Sequence, residues 1–119
     1  MNKVGEIINV SEITKSCRNL DPNELLGLLK SQLMKFWSWG SNSFTVDNQK
    51  NCRMFRMKVQ GRHHKGFVYI FVNGLDLFDV YYTTASTNKI KAIEEGLYFD
   101  MLVDAIDKYV EYVPIYENN

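Results

Sequence analysis

Every position from Phe67 to Val72 is apolar, and within that run aromatic and β-branched residues alternate. In an extended chain Phe67, Tyr69 and Phe71 fall on one side, and Val68, Ile70 and Val72 on the other. A strand of this kind belongs at the centre of a sheet, covered at least in part on both faces. That requirement constrains the rest of the chain more than any other feature.

The neighbouring strands follow from the same period of two. Phe44 and Val46 alternate in a short strand, and Asp47 to Asn51 reads as a turn. Over 52–60, Phe55, Met57 and Val59 point one way while Met54, Arg56, Lys58 and Gln60 point the other. The loop from Gly61 to Gly66 is bounded by glycines, as hairpin connections often are. Asn73-Gly74 is a strong hairpin signal, and Leu77 to Thr84 forms the return strand. A turn around Asn88 precedes a short fifth strand, Ile90 to Ile93.

Two helices flank this sheet in sequence. Asp21 stands at an N-cap, Pro22 at the first helical position and Glu24 where a capping box places an acid. Leu25, Leu26, Leu28, Leu29, Leu33, Phe36 and Trp37 then recur at three- and four-residue spacing, and Gly40 suits a left-handed helix stop. A second helix begins near Tyr98 or Phe99. Its apolar stripe is Leu102, Ile106, Tyr109, Val110 and Val113, its polar row Asp100, Asp104, Asp107 and Glu111, and Pro114 stops it. Val4, Ile7, Ile8 and Ile13 within residues 1–20 could line a short helix, a strand or an arm docked on the body. The expectation is one α+β domain over residues 1–119. It is an antiparallel meander of four to five strands, packed by an N-terminal-half helix and a C-terminal helix.

Apolar residues make up 45% and charged residues 24% of the 119, which excludes a disordered chain. No run approaches the roughly 20 apolar residues of a membrane helix, and no secretory signal pattern opens the chain. A cytoplasmic protein with no membrane partner is the expectation. Cys17 and Cys52 are lone thiols without metal-ligand spacing.

The formal charge is zero, but it is unevenly spread. Between Asn48 and Leu75 lie Lys50, Arg53, Arg56, Lys58, Arg62 and Lys65, with His63 and His64, and no acid. Between Glu94 and Asn119 lie seven acids and one base, Lys108. Such polarity suggests a charged partner or a docking surface. The candidate binding surface is therefore Arg56, Lys58, Arg62, His63, His64 and Lys65, since loops rich in Lys and Arg neutralise phosphates. The plainer reading is a charged sheet face that keeps the protein soluble. The acidic row of the last helix is either a solvated face or one that meets a basic surface.

Other chemistry finds less support. His63-His64 could ligate a metal, but adjacent residues on a strand point apart, and four cations surround them. A catalytic Cys17 or Cys52 would need a histidine base, and Cys52 is separated from the histidine loop by the length of the strand it opens; no P-loop, dinucleotide loop or nucleophile elbow is present. No catalytic residue, cofactor or metal is expected. Trp37, Trp39, Tyr81, Tyr82, Tyr112 and Tyr116 exceed what one core easily absorbs, and aromatics are favoured at interfaces.

Two resemblances bear on function. Lys65 to Val72 is similar to the RNP1 signature of RNA-recognition motifs at Lys65, Gly66, Phe67, Tyr69 and Ile70, and departs from it at Val68 and Val72. That motif implies bases stacked on an open aromatic sheet face. The order of elements here, helix-strand-strand, differs from the strand-helix-strand of that family. The stretches Arg62 to Thr84 and Tyr98 to Pro114 resemble small uncharacterised proteins carried by conjugative elements and phages of gut anaerobes, which implies an accessory protein of mobile DNA and no assigned activity. The expected function is a small non-enzymatic accessory or adaptor protein that binds a macromolecule, either a protein partner or a second copy in a homodimer. The alternative is nucleic-acid binding through the basic hairpin 53–65.

Overall fold

The computed structural model describes residues 2–111. Five strands form one antiparallel sheet in the order β1-β2-β3-β4-β5, a strict meander. They are β1 (Asn42–Val46), β2 (Phe55–Gln60), β3 (Lys65–Val72), β4 (Phe78–Thr84) and β5 (Ile90–Leu97). As its apolar pattern requires, β3 is central. No described helix is long and apolar enough to cross a membrane.

The sheet has two unequal faces. Phe55, Met57 and Val59 of β2 join Val68, Ile70, Val80 and Tyr82 on the first face. This face is covered by α2 (Pro22–Lys30), α3 (Leu33–Ser38) and α4 (Phe99–Val110), a short α1 (Val10–Thr14) lying apart from them. Leu25 and Leu29, then Phe36 and Trp39, and then Leu102, Val103, Ile106 and Val110 fill the layer between helices and strands. Alternation at two meets alternation at 3.6 here, so most of the hydrophobic stabilisation is concentrated between these layers.

The first helical stretch is two helices rather than one. Asp21 caps α2 as expected, its carboxylate accepting from the Asn23 and Glu24 amides. At the far end the Ser31 amide and the Ser31 hydroxyl both donate to the Leu28 carbonyl, the hydroxyl at 2.6 Å. Gln32 would have used that carbonyl in a continuous helix, so the ladder stops and restarts at α3. Gly40 then takes φ +59° and ends the pair.

Two further corrections concern a turn and the last strand. At Asn73-Gly74 the left-handed residue is Asp76, at φ +60°, because the Asn73 side chain accepts from the Leu75 and Leu77 amides and widens the loop. Strand β5 continues past Ile93 to Leu97, with Glu94 and Glu95 inside it. The two acids hid the strand, and Glu94 is held there by accepting the Tyr82 hydroxyl at 2.7 Å. Helix α4 is described to Val110, and Tyr112, Val113, Pro114 and Tyr116 lie outside the described residues.

Residues 5–20 form an arm across the second face. At its start the Gly5 amide donates to Ile90 O at 2.8 Å, and the Ile8 amide to Asn88 O at 2.9 Å. At its end the Arg18 amide reaches Val72 O and the Leu20 amide reaches Cys52 O, both at 2.8 Å. It therefore runs diagonally, from the start of β5 to the junction of β3 with β2. Ile8, Val10, Ile13 and Cys17 pack on Tyr69, Phe71, Tyr81 and Ile90, forming a second, smaller core.

Candidate binding surfaces

The diagonal arm divides the second face into two corners. Toward β1 and β2 lie Arg56, Lys58, Lys65 and Phe67, with Lys58 opposite Phe67 and Arg56 opposite Tyr69. Toward β4 and β5 lie Asp79 and Glu95. The Asp79 carboxylate accepts from Asn73 Nδ2 and the Gly96 amide, both at 2.9 Å.

The six residues expected to form one basic surface are split by the fold. Arg56, Lys58 and Lys65 share the second face. Arg62 turns instead toward α4: its guanidinium lies 3.7 Å from Glu111, and its amide donates to Glu111 Oε2 at 2.7 Å. The His63 amide donates to Val110 O. His64 is a correction, because it is buried at 1% exposure on the helical side. Its ring meets Tyr82 at 5.7 Å and Tyr109 at 5.3 Å, both edge-on.

Since a carbonyl only accepts, the contact of His64 Nε2 with Phe67 O at 3.2 Å places the proton on Nε2. Nδ1 is then an unprotonated, buried nitrogen with no partner. Burial holds the His64 pKa below its ordinary value, against the hydrogen bond to Phe67, and the Lys91 charge pushes the same way as burial. The histidines are thus divided between the loop and the core. Among the described residues no group of three His, Cys, Asp or Glu side chains could hold a metal ion.

The polar row of α4 is largely engaged within the chain. Asp104 accepts from the Lys35 ammonium at 2.7 Å, and that hydrogen bond holds its carboxyl below the usual range. Asp107 accepts from the Trp39 indole at 3.0 Å, and Glu111 holds Arg62. Two acids of the row thus meet cations of their own chain, and a third meets a neutral indole.

The thiols are not activated. Burial raises the pKa of Cys17, with the Asp79 charge acting the same way, and burial also raises that of Cys52. Both sulfurs donate to backbone carbonyls, of Ile13 and Met54. Burial pushes the Tyr81 hydroxyl up to about 12 and raises those of Tyr82 and Tyr109, so all three stay protonated.

Of the aromatics expected at an interface, Trp39, Tyr81 and Tyr82 are buried, and Trp37 alone among the described ones is well exposed, at 65%. It does not stand by itself. Met34 is 78% exposed, and Leu33 and Phe44 are exposed as well. Phe44, on the edge strand β1, stacks on Phe36 of α3 with centroids 6.2 Å apart. The signal for this surface was present in the sequence as a run of apolar residues too wide for one buried stripe. At the opposite end of the helical layer, a notch of about 350 Å³ is lined by Leu20, Leu25, Val72, Phe78 and Phe99, with Asp21 and Glu24 on its rim.

The strand order and the order of elements differ from those of an RNA-recognition motif, and the arm covers Tyr69 and Phe71. Those aromatics are core residues here. The chain matches no protein-family model, no curated protein and no solved structure.

Proposed function

We propose that the chain is a non-enzymatic accessory or adaptor protein that binds a protein partner through α3 and the adjoining edge of β1. One observation carries this reading. Within α3 only Phe36 is buried, while Leu33, Met34 and Trp37 face solvent beside the half-exposed Phe44. An isolated exposed apolar residue is ordinary, but Trp beside Met on one short helix, with a further apolar side chain adjoining, matches the composition of an interface centre. Leu33 and Trp37 are one turn apart, so a partner can engage both from one direction. The likeness of two segments to small proteins of mobile elements fits an accessory role and leaves the partner unspecified.

The test is photo-crosslinking in the cells that make the protein, with the reactive residue at Trp37, at Met34 or, as control, at the exposed Ser86. The expected result is one discrete adduct shared by positions 37 and 34, absent at 86 and lost when Leu33→Lys is added. No adduct at 37, or the same adducts at 86, overturns the reading. Sedimentation of the free protein over micromolar concentrations identifies the case in which that adduct is a second copy.

A further inference from the structure

The basic corner of the second face is built differently from a merely solvated surface. The Arg56 guanidinium does not extend into water. It lies over the Phe67 ring at 4.4 Å and near the Tyr69 ring at 5.9 Å, with Nη2 at 3.5 Å from Thr45 Oγ1. Its Nε is buried and has no partner. The planar cation is therefore held over the Phe67 ring, and the two side chains together form one plate against the sheet.

Two more cations flank that plate. Lys58 lies two residues along β2 from Arg56, on the same face, and pairs across the ladder with Phe67. Lys65 lies two residues before Phe67 on β3, diagonal to Lys58. Diagonal neighbours on adjacent strands are about 7–8 Å apart at their backbones. That spacing is comparable to the separation of successive phosphates in an extended single strand. Among the described residues no carboxylate pairs with Arg56, Lys58 or Lys65, whereas Arg18, Lys35 and Arg62 each have an acidic partner. What distinguishes this group is that three unpaired cations share one sheet face beside an aromatic ring.

We propose that this corner binds single-stranded nucleic acid, with Lys58 and Lys65 on consecutive phosphates and the Arg56–Phe67 plate under one unpaired base. Stacking on a guanidinium plane or an aromatic ring is tolerant of base identity, and cations alone track the backbone. A duplex fits less well, because a flat sheet corner cannot enter a groove and paired bases offer no free face to the plate. An acidic peptide would satisfy the lysines but give the plate nothing to stack. This surface lies on the opposite side of the sheet from α3, so it stands or falls independently of the protein-binding reading.

Fluorescence anisotropy with labelled oligo(dT), oligo(U), an abasic strand of equal length, a duplex, and polyglutamate and anionic vesicles as competitors tests the proposal. The expected result is binding to the single strands that weakens about sevenfold between 50 and 200 mM salt, as about two neutralised phosphates predict. The double substitution Lys58→Glu with Lys65→Glu loses at least about tenfold, while Arg62→Ala and Trp37→Ala leave binding unchanged. Arg56→Lys keeps the charge but removes the plane, so it weakens binding to oligo(dT) and not to the abasic strand. Circular dichroism confirms that each variant is folded. No binding at low salt, retention by the double variant, or equal affinity for the abasic strand, the duplex, polyglutamate or vesicles overturns the proposal.

Discussion

The indole N–H of Trp39, a side chain with no exposed surface, donates to Asp107 Oδ1 across the junction of α3 and α4. The partners are 68 residues apart in sequence and close the helical layer at one point. Asp107→Ala leaves a buried donor without an acceptor and is expected to cost about 1–3 kcal/mol, read from the urea midpoint. Asp107→Asn keeps an acceptor and recovers most of that. Lys35 and Asp104 form the neighbouring contact but are both well exposed, so Lys35→Ala is expected to cost less than about 1 kcal/mol.

Phe36 and Trp37 are adjacent in sequence and opposite in consequence. Phe36 is buried with an edge-on contact to Trp39 and a stacked contact to Phe44. Phe36→Ala is expected to cost about 3–5 kcal/mol in chemical denaturation. Trp37→Ala removes a larger side chain and is expected to change stability by no more than about 0.5 kcal/mol.

Stability should fall with acid because of His64. Its pKa in the folded chain lies below the ordinary 6.5, so the unfolded chain binds the proton first. The contribution of neutral His64 is complete above about 6.5 and is lost as pH falls from there through the lower folded value. The slope is at most about 1.4 kcal/mol per pH unit. Urea titrations between pH 5 and 8 should show it, and His64→Phe should flatten that part of the profile.

Three glycines separate close approach from open space. A β-carbon on Gly61 would meet the Val110 carbonyl, and one on Gly66 the Thr83 carbonyl. Neither backbone can move without disturbing α4 or β4, so each Gly→Ala is expected to cost about 2–4 kcal/mol. Gly27 is exposed in the middle of α2 with nothing near its would-be β-carbon. Gly27→Ala is expected to stabilise by about 0.5–1 kcal/mol. Thermal melts of the three variants check both signs.

Much of this architecture could be read from spacing alone. Period two separated Phe55, Met57 and Val59 from Arg56 on one strand, and Val68 and Ile70 from Phe67 and Tyr69 on the next, while the ladder that pairs Met57 with Val68 decides which sides share a face. Asp21 announced the helix it caps. What escaped the pattern was decided by side chains whose partners lie elsewhere in the chain. Glu94 and Glu95 look unlike strand residues, yet Tyr82 supplies a donor for one of them. His64 sits among cations in sequence and among aromatic rings in space. The acids of α4 look unbalanced until Lys35, Trp39 and Arg62 are brought to them by the fold. The basic surface was visible as composition, but only the path of the arm shows which half of it stays open.

The arm also sets an order of assembly. Each strand of the meander pairs with its neighbour in sequence, so the sheet can zip from hairpin to hairpin with short closures. Gly5 must wait for Ile90, 85 residues later. During synthesis the arm is therefore made before the strands it bonds to and is among the last elements to dock. Until it docks, Tyr69, Phe71 and Tyr81 remain uncovered on a growing sheet, so a nascent chain stalled before β5 presents an aromatic surface that the finished protein conceals.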